Sequence, residues 1–381
     1  MEVLIDGHCH RVLASDLDGP AFELACTEAD LPAPPGVSYL DSQLGLAVRR
    51  WCAPVLGLTA HTPIEDYLAR RAELGWSAAT GALLRAAGLA ELLVDTGLAG
   101  SDLLDDATLG TLSGARIREV VRLEHVAEGL AGQVAAGGFA DAYDEALRKR
   151  ARAAVAVKSV IAYRHGLAFA PERPAPADVR RAAGDWLRGG GGRLTDPVLL
   201  RHVLWAGVDL GLPLQLHTGF GDRDLALRAA DPVLAQPFLA AVTTPVVLLH
   251  CYPYHRGAGW LAQVYPHVYV DVGLTLNHLG ARSGAVLAEY FELAPFGKLL
   301  FSTDAYLLPE LYLVGATLFR RGLRHLLDEW RADDAVSAAD AERIAELVGA
   351  GNARRLYTTE GPPPPVDHPP PPVDHGHIGV S

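Results

Sequence analysis

The sequence predicts an α/β protein built as a parallel (β/α)8 TIM barrel, with a helical insertion after the first strand and a disordered Pro-rich C-terminal tail. Three observations carry that expectation. Short, uninterrupted apolar runs alternate with amphipathic helical stretches about eight times, the pattern of a parallel sheet buried on both faces. The repeat averages roughly thirty residues, which suits eight strand–helix units closed on themselves. No Gly-x-Gly-x-x-Gly turn follows the first strand, which argues against an open dinucleotide-binding sheet.

Composition bounds the rest. The 381 residues are 50% hydrophobic, ample for a large core. A formal net charge of −12 argues against nucleic-acid or anionic-membrane partners and leaves a small molecule as the expected one. Cys9, Cys26, Cys52 and Cys251 form no C-x-x-C pair, and no basic, apolar leader opens the chain. No apolar run reaches membrane-spanning length. A cytoplasmic protein is expected, and a homodimer is compatible with it.

In chain order, Val3–Ile5 is the first strand, running into Asp6-Gly7-His8-Cys9-His10. Residues 11–91 form the insertion, with helical patterns at Ser42–Cys52, Ile64–Leu74 and Ala78–Leu93, a stretch suited to covering a site. Leu92–Asp95 is the second strand and Arg116–Glu124 the third. Val126–Arg152 reads as one long helix, and Ala153–Ala162 as the fourth strand. A helix around Ala177–Leu187 leads to Gly189–Gly192. Those four glycines follow a helix rather than a strand, so they read as a flexible connection and not a phosphate cradle. Asp196-Pro197 opens a helix, with an acid at the N-cap and proline at the first position. Leu212–Leu216, Val246–Leu249, His267–Val272 and Leu299–Thr303 are strands five to eight, separated by helices near 232–242, 260–264 and 285–293. Leu311–Trp330 and Ala338–Leu347 are the closing helices. Residues 1–360 therefore form the barrel domain. Residues 361–381 repeat Pro-Pro-Pro-Pro-Val-Asp-His and read as a solvated, extended tail.

Loops at the C-terminal ends of parallel barrel strands build active sites. Polar residues collect there: His8 and His10 after strand one, Glu124 at strand three, Tyr163 and Arg164 after strand four, His217, His250 and Asp304 after strands five, six and eight. Two histidines at i and i+2 on a strand share a face and can reach one point beyond its end. Four histidines and an aspartate on one rim would be a costly cluster of unsatisfied groups unless a cation joined them. Imidazole and carboxylate suit one divalent ion, Zn2+ first and Mn2+ as an alternative. Cys9 alternates away from the site and reads as packing.

This constellation resembles the amidohydrolase superfamily. The strings Lys158–Arg164, His217–Asp222, His250–Arg256 and Phe301–Ala305 resemble its amidohydrolase 2 group, and within that the FluG-like proteins, whose barrel is often fused to a glutamine-synthetase-like domain. The resemblance implies a metal held by His8, His10, His217 and Asp304, with Asp304 and His250 catalytic. Tyr163, Arg164, Tyr254 and Arg256 are the expected substrate-binding residues. It implies hydrolysis of a C–N bond, an amide or γ-glutamyl amide of a small carboxylate-bearing compound. Relatives that use one metal for non-oxidative decarboxylation supply the alternative, and a non-catalytic binding module is a third reading. Binuclear relatives bridge two metals with a carboxylated lysine on strand four. Lys158 stands on that strand, but the run beyond it places it below the rim, paired with an acid such as Glu124, so a single metal is expected.

Overall fold

Eight parallel strands lie side by side in chain order: β1 (Leu4–Cys9), β2 (Leu89–Asp95), β3 (Arg116–Arg122), β4 (Ala156–Ser159), β5 (Leu214–Thr218), β6 (Val246–His250), β7 (Val268–Asp271) and β8 (Leu299–Leu300). The computed structural model describes residues 3–98, 100 and 102–358; the proline repeats lie outside the described residues. The chain beyond β8 runs on beside β1 and joins the two ends of the sheet. Gly7 N–H donates to Phe301 O at 3.0 Å, Asp304 N–H to His8 O at 2.9 Å and His10 N–H to Ala305 O at 2.8 Å. The result is the expected (β/α)8 barrel, and these same bonds seat His8, His10 and Asp304 together.

The strands form because their apolar and β-branched residues are buried from both sides, by the outer helices and by the barrel interior. All residues of β5 and β6 are buried, including the polar Gln215, His217, Thr218 and His250. Ile5, Leu93, Val120, Val247, Leu249 and Leu300 cluster with Ala350, Ala353 and Tyr357 from the end of the described chain. This plug fills one end of the barrel, leaving the polar rim at the other. Tyr357 reaches Gln215 Nε2 with its hydroxyl at 3.0 Å, linking plug to rim.

The insertion between β1 and β2 is helical, with Gly19–Ala25, Gln43–Val55, Ile64–Leu74 and Trp76–Ala87. The last helix is shorter than the expected Ala78–Leu93. Gly88 takes a left-handed φ of 61° and ends it, and Leu89 begins β2. Asp196 caps its helix as expected, accepting from the N–H groups of Val198 and Leu199. Among the described residues no helix is long and apolar enough to cross a membrane.

Further expected elements differ, and strand eight is one of them, ending at Leu300 rather than Thr303. Val126–Arg152 is not one helix: the chain breaks across Gly129, Gly132, Gly137 and Gly138 into Leu123–Glu128 and Phe139–Arg150. Strand three ends at Arg122, so Glu124 belongs to the helix that follows. The fourth strand stops at Ser159, three residues short of Ala162. Side chains explain that stop. Glu124 Oε1 accepts the Val160 N–H at 3.0 Å and Ser159 Oγ accepts that of Ile161 at 3.1 Å. Two amides that would extend the ladder are thus committed to side chains, and Ile161–Arg164 forms a helical turn.

Candidate active site

Asp304 is the hub of the rim. Its Oδ1 lies 3.2 Å from His8 Nε2 and 3.3 Å from His10 Nε2, and its Oδ2 lies 3.5 Å from His250 Nε2. His8 and His10 rings meet edge to face with centroids 5.1 Å apart. His217 packs against His250 at 4.6 Å and against Tyr163 at 4.5 Å. His10 Nδ1, both ring nitrogens of His250, and His217 Nε2 are buried without a hydrogen-bond partner among the described residues. Native interiors seldom leave so many polar atoms unsatisfied in one place.

The electrostatics suit lone-pair donation. Burial, with Lys158 nearby, lowers His8 to about 4, and burial lowers His250 to about 3. Burial with the adjacent His250 drives His217 down as well. These imidazoles are neutral at neutral pH. Burial opposes the charge on Asp304, but His250, His10 and His8 outweigh it and hold the carboxyl well below its usual range. Neutral rings around one carboxylate are the donor set that zinc, manganese and neighbouring divalent ions take.

Backbone geometry aims these groups. His250 and Asp304 both adopt left-handed φ, 66° and 50°, unusual for residues other than glycine. His250 N–H donates to Asp271 Oδ1 at 2.8 Å, and its carbonyl accepts from Thr275 Oγ1 at 3.0 Å and from the Tyr290 hydroxyl. Asp271 is further held by Ser302 Oγ at 2.7 Å. His8 is oriented by Gln215, whose Oε1 lies 2.8 Å from Nδ1 and leaves Nε2 facing Asp304.

Above the hub lies a cavity of about 580 Å³, lined by His10, His217, Asp304, Lys158, Tyr163 and Arg164 among others. The insertion contributes Leu24 to Asp30 to its wall, so the stretch after β1 does cover the site. Gly221 keeps the interior open: a Cβ there would overlap the Tyr163 hydroxyl and come within 3.1 Å of His217 Nε2.

Not every expected residue comes here. Lys158 is a correction. It is not low in the barrel, because the strand ends one residue later, and its Nζ lies 3.1 Å from His8 Nε2 at the cavity wall. Glu124 is not its partner; that carboxyl is taken by Ser159 and Val160. Arg256 is a second correction. The turn after β6 sends it outward, 63% exposed, onto Glu289 at 3.2 Å and Glu292 at 3.0 Å. Tyr254 stands at the start of the helix His255–Val264 and does not line the cavity.

Two carboxylate-and-histidine groups bring their donor atoms within 4.8 Å of one another: His8, His250 and Asp304, and His8, His10 and Asp95. His217 is in neither, although it adjoins His250. Asp95, Arg122 and Gln215 were missed in the sequence. Asp95 ends β2 as a polar residue after an apolar run, the same signal that marked His217 and His250.

A parallel barrel with histidines and an aspartate converging on its rim is the architecture of a metal-dependent barrel enzyme. The chain belongs to the amidohydrolase family (Amidohydro_2), whose model matches residues 109–359. Protein fluG of Emericella nidulans is 36% identical over 155 residues, which are 40% of this chain and 18% of that protein. The chain therefore aligns with less than a fifth of that relative's length. A candidate metal-dependent hydrolase from Lactobacillus casei superposes with a TM-score of 0.81 at 28% identity, covering 94% of this chain and 96% of the other. Glucuronate isomerase from Caulobacter crescentus shares the fold alone, with a TM-score of 0.67 at 14% identity over 95% and 92% of the two chains.

Proposed function

We propose that this protein is a metal-dependent hydrolase that cleaves a C–N bond, an amide or γ-glutamyl amide, of a small carboxylate-bearing compound. The observation that carries this reading is the convergence of the buried His8, His10 and His250 on Asp304, with His10 Nδ1, both His250 ring nitrogens and His217 Nε2 left without a hydrogen-bond partner among the described residues. His8, His10 and Asp304 would hold one divalent ion, Zn2+ or Mn2+, with His217 completing the set. Such an ion supplies Lewis acidity and brings the pKa of water to near neutrality.

The protein's own groups do the rest. Asp304 takes the proton of the attacking water and returns it to the leaving nitrogen. His250, rigidly seated, hydrogen-bonds the carbonyl oxygen as negative charge develops there. Tyr163 and Arg164 orient the substrate's carboxylate from the β4 side of the cavity. The γ-glutamyl choice rests on the resemblance to FluG-like proteins. Free, buried cysteines fit a reducing, cytoplasmic setting.

Metal-loaded protein incubated with γ-glutamyl and other carboxylate-bearing amides tests the reading. Release of amine or ammonia with the free acid is expected. Release of carbon dioxide from an aromatic or unsaturated acid, without amide cleavage, would replace it with the decarboxylase alternative.

A further inference from the structure

Arg122, the last residue of β3, is held in a purpose-built seat beside the cavity. Its Nε and Nη2 both donate to Asp95 Oδ2, at 3.1 and 2.7 Å. Asp95 is fully buried, and its other oxygen accepts the Gly97 N–H at 2.8 Å. Burial raises the Asp95 pKa, but Arg122, His10, Lys158 and His8 outweigh that and keep the carboxylate ionised. Gly97 has no side chain, and a Cβ there would overlap the Arg122 side chain at Cβ, Cδ and Nε. The side chain is thereby fixed at 11% exposure, with Nε and Nη2 both committed to Asp95. Arg122 lines the same cavity as Asp304 and Tyr306.

The neighbouring strand supplies a second guanidinium. Arg164 meets Glu128 at 3.1 Å through Nη2, while its Nε and Nη1 have no partner among the described residues. Lys158 stands between these strands' ends on the same wall. Two guanidiniums and the Lys158 amine thus share the inner cavity. Of the cavity's four outer acids, Asp222 accepts the Asp224 N–H at 2.9 Å and has no basic side chain on it, while the other three already contact basic side chains. Asp30 pairs with Arg223 at 2.9 Å, Asp224 with Arg193 at 2.6 Å and Glu28 with His278 at 3.4 Å. The Arg223 and Arg193 pairs are about half exposed or more, so they belong to the rim rather than the floor. A planar guanidinium with an open edge, beside a second under-partnered one, is the donor arrangement that a carboxylate fills.

We propose that Arg122 is the fixed anchor for the substrate's free carboxylate, its Nη1 directed into the cavity by the Asp95–Gly97 seat. The inference rests on the hydrolase reading above and deepens it. The substrate class becomes an amide whose separate carboxylate is met by Arg122 from the β3 side and by Tyr163 and Arg164 from the β4 side, while its carbonyl faces Asp304 and His250. Arg122 sets which substrates enter; it takes no part in proton transfer.

Binding without turnover separates this from the hydrolase reading. Metal-loaded protein is titrated calorimetrically with glutarate and with its uncharged analogue glutaramide, and metal content is measured on every sample. Wild-type protein is expected to prefer glutarate by at least about tenfold. Arg122→Gln is expected to weaken glutarate by roughly 10- to 100-fold, the range for a charged hydrogen bond, with glutaramide and metal content unchanged. Gly97→Ala, which keeps the arginine but unseats it, should move discrimination the same way, and it decides the matter if Arg122→Gln fails to fold. Unchanged glutarate affinity in a folded, metal-loaded variant overturns the proposal, as does equal binding of both probes by wild type. Correct discrimination with no amide cleaved would leave the anchor standing and remove only the hydrolase reading.

Discussion

His250 and Asp304 concentrate the site's chemistry in two residues whose backbones sit in a sparsely populated region. Such conformations persist only where surroundings over-determine them. Here Asp271, Thr275 and Tyr290 hold the main chain of His250, and the His8 carbonyl holds that of Asp304. Asp304 is also the group that exchanges the proton in the proposed reaction. Asp304→Asn keeps the shape and removes the base, so kcat should fall by about 10²- to 10⁴-fold with the circular dichroism spectrum unchanged; activity within a few-fold of wild type would assign the proton to another group. At this scale the sequence revealed a great deal. His8, His10, His217, His250 and Asp304 each follow an apolar strand and so announce themselves. Arg122 did not, because Arg116, Arg118 and Arg122 alternate with apolar residues and read as a solvated strand face. Lys158 was misplaced because Val160 and Ile161 prolong its β-branched run, and nothing in the sequence shows that Glu124 and Ser159 capture their amides.

Secondary-structure elements hold the cover over the site. The insertion helix Ile64–Leu74 is tied to the long helix Pro309–Ala332 by a buried ion pair, Arg71 Nε to Glu310 Oε1 at 2.9 Å. The Tyr67 hydroxyl donates to the same oxygen at 2.8 Å. Glu310 is fully buried and Arg71 nearly so, and without Glu310 the guanidinium keeps only the part-exposed Asp16, at 3.3 Å. Glu310→Ala should destabilise the protein by about 3–5 kcal/mol, whereas Arg71→Met with Glu310→Leu should cost much less. Denaturant titration of the two variants checks this. Equal losses would mean that the pair is not the tie between insertion and barrel. The helix start was readable where an N-cap and proline mark it, as at Asp196-Pro197. Boundaries failed where tertiary partners decide, as at the end of β4, or where glycines interrupt an otherwise helical composition, as across Gly129–Gly138.

The whole molecule is a barrel with one end plugged by apolar residues and the other left polar. The plug, Ala350, Ala353 and Tyr357 against Ile5, Leu93 and Val120, joins the last described helices to the first three strands. The strand–helix rhythm made this architecture readable from sequence, since each parallel strand must be buried on both faces. Which rim atoms meet was not readable, because it depends on how β1 and the chain past β8 zip together. The proposed chemistry requires one divalent ion on this rim. The most direct measurement is elemental metal content of protein truncated after residue 358, which removes the tail histidines, compared with His8→Ala and Asp304→Ala in the same background. The account predicts one equivalent of metal per chain, lost in both variants. No bound metal under any loading condition, or one equivalent retained in both variants, would contradict it.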